Sequence, residues 1–157
     1  MERYRCYFDA SYRDGIGTLA YIVKNSENNV VLKTSKAIKC RNSYIAEANA
    51  LRELLNLLKA ATDIFLIAKG SSITIYGDCE SIINIVRREG KYRRNGYRKM
   101  YNEIVNTYIE LRKNNNMALQ WIRRNNNKEA DALARELLRK INVIYYGPIN
   151  KAREKQM

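Results

Sequence analysis

An α/β domain built on a mixed sheet is the fold class that this 157-residue sequence predicts, and three observations predict it. The length suits one domain, since roughly 100–150 residues is the commonest domain size. The composition, 46% hydrophobic and 10% aromatic, is that of a folded chain rather than a disordered basic tail. Along the chain, three β-prone runs are followed by helix-periodic and β-prone segments in alternation, an order that leaves strands flanked by helices.

Residues 4–9 are rich in aromatic side chains and end on Asp9, with the turn signal Arg13-Asp14-Gly15 soon after, so they read as a strand closing at an acid. Residues 18–23 and 29–39 are β-prone and separated by Asn25-Ser26-Glu27-Asn28; with the first strand they predict an antiparallel meander. Over residues 45–58, Ala48, Leu51, Leu54, Leu55 and Leu58 recur at three- and four-residue steps. That is a helix, with Asn42 or Ser43 as its N-cap. Residues 73–76, between Gly70-Ser71-Ser72 and Gly77, predict a fourth strand ending at Asp78, and Ser81, Ile82, Ile83, Ile85 and Val86 carry a helix on to Gly90.

A basic, aromatic-interleaved connector covers 91–99, and Tyr97, Tyr101, Ile104, Val105, Tyr108 and Leu111 form a further amphipathic stripe ended by Asn114-Asn115-Asn116. Residues 117–122 read as a fifth strand and 123–127 as a polar loop. Ala130, Leu133, Ala134, Leu137, Leu138 and Ile141 mark a closing helix. The domain is expected to span 1–142, with 143–157 a basic tail that frays from Gly147-Pro148.

The charge is lopsided: 29 Lys and Arg against 16 Asp and Glu give +13, which points to a partner carrying phosphates. Histidine is absent, and that excludes Ser-His-Asp triads, Cys-His dyads and His-ligated zinc. Cys6, Cys40 and Cys79 are widely spaced and form no CxxC, so neither a disulfide framework nor a zinc site is indicated. A reducing cytoplasm is the expected location. No apolar run reaches the roughly 20 residues of a membrane helix, and the start of the chain lacks a secretory signal.

Four acids stand out. Asp9 and Asp78 each close an apolar strand; they read either as plain strand terminators or as two acids facing one crevice at the carboxyl ends of a sheet. Glu47 precedes Leu51, Leu54 and Leu58 by four, seven and eleven residues, which puts it on the apolar stripe of its own helix, where a carboxylate needs a partner. Asp131 falls in the first turn of the last helix, a position the helix dipole also favours for structural reasons alone. Drawn together, the four would repel one another, and hard divalent cations are their natural complement. Two magnesium ions held this way suit phosphodiester hydrolysis and require no histidine.

From residue 4 to about 138, the chain resembles type 1 ribonuclease H, in particular its compact bacterial, archaeal and reverse-transcriptase-like branch. The resemblance rests on Tyr7-Phe8-Asp9-Ala10-Ser11, on Ser43-Tyr44-Ile45-Ala46-Glu47-Ala48-Asn49-Ala50-Leu51, on Gly77-Asp78-Cys79-Glu80-Ser81, and on Trp121-Ile122-Arg123-Arg124 through Asn127-Lys128-Glu129-Ala130-Asp131-Ala132-Leu133-Ala134. It implies a five-stranded sheet in the order 3-2-1-4-5, with strands 1–3 antiparallel. It also implies an endonuclease that cuts the RNA strand of RNA/DNA hybrids with two Mg²⁺ or Mn²⁺ ions, and it makes Asp9, Glu47, Asp78 and Asp131 the metal ligands. Carried over in the same way, Ala10 and Ser11 beside the first acid, Asn42 and Ser43 before the Ala-Glu element, and Asn127 before the last acid would meet the substrate.

Ala10 stands where the family often has Gly, and Ser43-Tyr44 where it commonly has paired asparagines. Arg123, Arg124 and three asparagines occupy a loop in which many members place a histidine, and the two arginines are expected to meet the substrate. Arg93, Arg94 and Arg98 of the basic connector suit phosphate and sugar contacts, although a solvated loop would read the same way. Two rival functions remain at this level: a nuclease of the same fold acting on DNA, resolvase-like, and a non-catalytic nucleic-acid-binding module. Monomer is the default state.

Overall fold

The computed structural model describes residues 1–88 and 97–146. Arg93, Arg94 and the tail from residue 147 lie outside them. Five strands, β1 (Arg3–Arg13), β2 (Ile16–Lys24), β3 (Val30–Lys39), β4 (Ser72–Gly77) and β5 (Asn116–Trp121), form one sheet in the order β3-β2-β1-β4-β5. The first three are antiparallel, while β1–β4 and β4–β5 pair in parallel. Helices α1 (Ser43–Asp63), α2 (Glu80–Arg87), α3 (Arg98–Asn114) and α4 (Lys128–Tyr146) flank it. The expected sheet order and strand directions are those observed.

Local chemistry explains most of the boundaries. Asp14 and Gly15 both take positive φ, 48° and 84°, the two-residue turn whose twist matches a hairpin. Because of that turn, β1 does not stop at Asp9 but runs on to Arg13, paired with β2 throughout. The cap of α1 is Asn42, whose side chain accepts from the Ile45 N–H at 2.9 Å, and the helix continues five residues beyond Leu58. A short 3-10 turn (Arg124–Asn126) occupies the expected 123–127 loop. Helix α4 carries on through Tyr146, across the expected boundary at 142.

The sheet separates two apolar layers. Cys6 and Phe8 of β1, Leu19, Tyr21 and Val23 of β2, and Ile73 and Ile75 of β4 pack against Leu51, Leu54, Leu55 and Leu58 of α1 and the inward faces of α2 and α3. On the other side, α4 covers β1, β2 and β3, and the buried Thr18 hydroxyl donates to the Ala134 carbonyl at 2.7 Å. No helix of the described residues is long and apolar enough to cross a membrane.

Candidate active site

Parallel pairing between β1 and β4 ends at Tyr7 opposite Tyr76. Two residues further along β1 is Asp9, and two further along β4 is Asp78, just past the strand's end. Both acids therefore occupy the crevice where the two strands part, the usual binding position in an open α/β sheet. Glu47 reaches the same point from the first turns of α1, half-buried. One carboxylate oxygen from each of Asp9, Glu47 and Asp78 lies within 4.8 Å of the others.

The fourth acid stands apart from this group. Asp131 is close enough for its charge to act on both Asp9 and Asp78, but its Oδ1 accepts from the Arg135 Nε at 3.0 Å, one turn along α4. The structure thus brings together three of the four predicted ligands and ties the fourth to a neighbouring cation. An i,i+4 Asp–Arg pair is visible in sequence and was the available signal for Arg135.

Electrostatics follow from placing three carboxylates out of water. Asp9 is only 2% exposed; burial, with the charges of Asp78 and Asp131, pushes its pKa up to about 6, against a hydrogen bond from Glu47 that holds it down. Burial and the Asp9 charge raise Glu47 far above the ordinary carboxylate range, so without a cation the two share a proton. Asp78 is raised by burial, with Asn127 and the Arg124 guanidinium pulling it back. Asp9 Oδ2, Glu47 Oε2 and Asp78 Oδ2 are buried with no hydrogen-bond partner, and buried polar atoms in that state call for a missing partner. An all-oxygen, negatively charged donor set fits a hard divalent cation.

A pH dependence follows. Asp9 and Glu47 have folded-state pKa values above their unfolded ones, so the stability they contribute is fully present below about pH 4; that of Asp9 is lost as pH rises through about 6, and that of Glu47 goes on falling at higher pH. In EDTA the melting temperature is expected to fall between pH 5 and 7.5; with saturating Mg²⁺ that fall should flatten. Because the chain has no histidine, no imidazole can produce the same profile. Melting curves at four pH values, with and without the ion, measure it.

Beside the acids an open cleft of about 560 Å³ is lined by Ala10, Ser11, Ser43, Glu47, Asp78 and Arg124, among others. Four of the predicted substrate residues, Ala10, Ser11, Ser43 and Arg124, therefore face it. Arg123 is exposed at the start of the 3-10 turn. Arg98 is exposed where α3 begins, next to Tyr97, whose ring packs on Tyr44 of the cleft wall at 6.4 Å.

Two of the residues expected to meet substrate also make bonds within the fold. Asn42 spends its side-chain oxygen capping α1. Asn127 is 1% exposed and donates to the Phe8 carbonyl at 2.9 Å, which clasps the approach to α4 onto β1 next to Asp9. Asn127→Ala would leave that carbonyl buried and unpaired, an expected loss of about 1–3 kcal/mol readable in urea denaturation. Trp121, whose indole N–H donates to the Asp78 carbonyl at 3.1 Å, and Gly77, packed on the Phe8 ring, also position the acids; neither role is legible in the sequence.

Comparison with known proteins agrees with this fold. A family model described as reverse transcriptase-like matches residues 7–137. No curated protein matches the chain. Among solved structures, LC11-RNase H1, isolated from compost by a metagenomic approach, superposes with a TM-score of 0.76 at 20% identity, covering 90% of this chain and 99% of that one. The same protein in complex with an RNA/DNA hybrid gives 0.72 at 19% identity, with 85% and 94% covered. RNase H1 from the halophilic archaeon Halobacterium salinarum gives 0.65 at 21%, with 88% and 98% covered. At these identities the likeness is one of fold.

Proposed function

The chain belongs to this reverse transcriptase-like family, and we propose that it is a metal-dependent endoribonuclease that hydrolyses the RNA strand of RNA/DNA hybrids. The observation that carries the reading is the convergence of Asp9, Glu47 and Asp78, each with a buried, unpartnered oxygen. A module that only bound nucleic acid would gain nothing from a carboxylate cluster beside phosphate, since like charges repel. The choice of hybrid draws on the fold neighbour bound to an RNA/DNA hybrid.

In this reading Asp9, Glu47 and Asp78 hold the cations, and Asp131, whose charge already acts on the first and third, is the fourth ligand. Two Mg²⁺ or Mn²⁺ ions would supply Lewis acidity that activates water and neutralises the leaving oxygen. The residues of the chain do the rest. Arg124, exposed on the cleft beside Asp78, attracts and orients a phosphate; the hydroxyls of Ser11 and Ser43 offer hydrogen bonds to sugar and phosphate oxygens. Burial of Asp9 and Glu47 keeps water from competing for their oxygens.

The test is to incubate the protein with labelled RNA/DNA hybrid, duplex DNA, duplex RNA and a four-way junction in Mg²⁺, Mn²⁺ or EDTA, alongside Asp78→Asn. Hybrid cleavage that needs metal and is lost in the variant supports the proposal. Cleavage of duplex DNA or the junction with the hybrid left intact would move the protein to the DNA nucleases. Binding without cleavage under every metal would make it a non-catalytic module.

A further inference from the structure

The side of the sheet that α4 covers is only partly covered. Helix α4 packs on β1, β2 and β3, and toward β4 and β5 the same face stays accessible at Ser72, Thr74, Tyr76, Asn116 and Gln120. Register brings its residues into rows: Arg3 lies opposite Ser72, Arg5 opposite Thr74, and Tyr7 opposite Tyr76. On β1's other flank Arg5 faces Lys24, and beyond β4 Tyr76 faces Gln120. The result is a polar, basic strand surface with an aromatic pair at its upper end.

We propose that this face binds single-stranded nucleic acid. The Tyr7 and Tyr76 rings stack, with centroids 5.1 Å apart and planes inclined by 23°, and the Lys24 ammonium lies 5.9 Å from the Tyr7 centroid. Tyr7 thus has a ring and a cation against it. Among the described residues Tyr76 meets no second ring or cation, so a base can extend the column on it. Base–aromatic stacking of this kind tolerates any sequence, because every base has a π-face.

Below the rings, a depression of about 530 Å³ is lined by Arg3, Arg5, Ser72, Thr74, Tyr76 and Asn116 among others. Arg5 is steadied by Asn28 at 2.8 Å, and the Arg3 side chain has no partner among the described residues. The strand positions on this patch carry no Asp or Glu. Glu129 of α4 is paired to Lys24 at 2.6 Å. Cations without acids attract phosphates, while hydroxyls and carboxamides suit sugar and base edges. A duplex hides its base faces within the stack and cannot use the tyrosine column; an unpaired strand can. Tyr7 and Tyr76 precede Asp9 and Asp78 by two residues in the chain.

The inference goes beyond hydrolysis and is measured without it. Fluorescence anisotropy in EDTA with labelled 12-mers of oligo(dT) and oligo(U) gives affinities for wild type, Tyr76→Ala, Tyr76→Phe and Arg3→Glu, with circular dichroism confirming the fold. Tyr76→Ala is expected to weaken binding about tenfold and Tyr76→Phe to retain it. Arg3→Glu, an exposed change with little bearing on folding, should weaken binding and lower its salt dependence. Either strand chemistry bound with that pattern supports the platform.

Equal affinities for wild type, Tyr76→Ala and Arg3→Glu would overturn it. So would an equal loss toward a blunt RNA/DNA hybrid, which would mean that the face does not distinguish an unpaired strand from a duplex. A dimer in sedimentation equilibrium that Tyr76→Ala dissociates would assign the face to a second copy of the chain instead.

Discussion

Asp9→Asn is expected to abolish hybrid cleavage and at the same time raise the melting temperature of the metal-free protein at pH 7.5. The two effects share one cause. Asp9 is buried at the centre of the acidic group, and its pKa of about 6 means that its ionised form at neutral pH is unfavourable by on the order of 3 kcal/mol relative to the unfolded chain. A neutral amide of the same shape removes that term, and for a chain of this size each 1 kcal/mol is worth about 2–4 °C. Losing the ligand set removes several kcal/mol of transition-state stabilisation, roughly a thousandfold in rate. Wild type should gain stability on adding Mg²⁺, by about 1.4 kcal/mol at ten times the dissociation constant, whereas the variant should gain little. A variant less stable than wild type in EDTA, yet still stabilised by Mg²⁺, would show that Asp9 is a structural residue and not a ligand.

Gly77→Ala should be strongly destabilising although it adds a single methyl group. A Cβ at residue 77 would run into Cε1 and Cζ of the Phe8 ring, and Phe8 is fully buried in the layer under α1. Overpacking of that kind typically costs 1–3 kcal/mol. Here the strain falls on two residues that each precede a cluster acid, Phe8 before Asp9 and Gly77 before Asp78. Displacing the acids by a fraction of an ångström to 1 Å can lower the rate about a hundredfold. The double variant Gly77→Ala/Phe8→Leu makes room for the methyl group, so its destabilisation in urea should be smaller than the sum of the two single changes. Simple additivity would place the strain elsewhere.

Much of the molecule is legible in the chain because the signals are local. The Asp14-Gly15 turn, the leucine stripe of α1 and the apolar stripe of α3 are each set within a few residues, by backbone sterics and side-chain periodicity. Glu47 was legible as well, since a carboxylate on an apolar stripe is costly wherever the helix packs. The end of β1 was not. An acid after an aromatic run looks like a terminus, but strand length is decided by the partner, and β2 pairs through Arg13. Polar residues are legible only in part: Asn42 caps α1, as its place before the helix indicates, whereas the hold of Asn127 on a buried carbonyl has no local signal. An asparagine's donors and acceptors look alike in sequence whether they meet a ligand or the backbone.

By itself the sequence determined the fold class and the order of elements, and it singled out the four acids as candidates, because these rest on composition, periodicity and residue type. Tertiary structure decided which acids meet. Asp9, Glu47 and Asp78 converge while Asp131 leans on Arg135, and Tyr7 and Tyr76, 69 residues apart in the chain, become a stacked pair. The physical reason is that side-chain meetings across a sheet depend on strand register and on the geometry of closure between segments distant in sequence. A one-residue slip would send every side chain to the opposite face, and no short stretch of sequence records that choice.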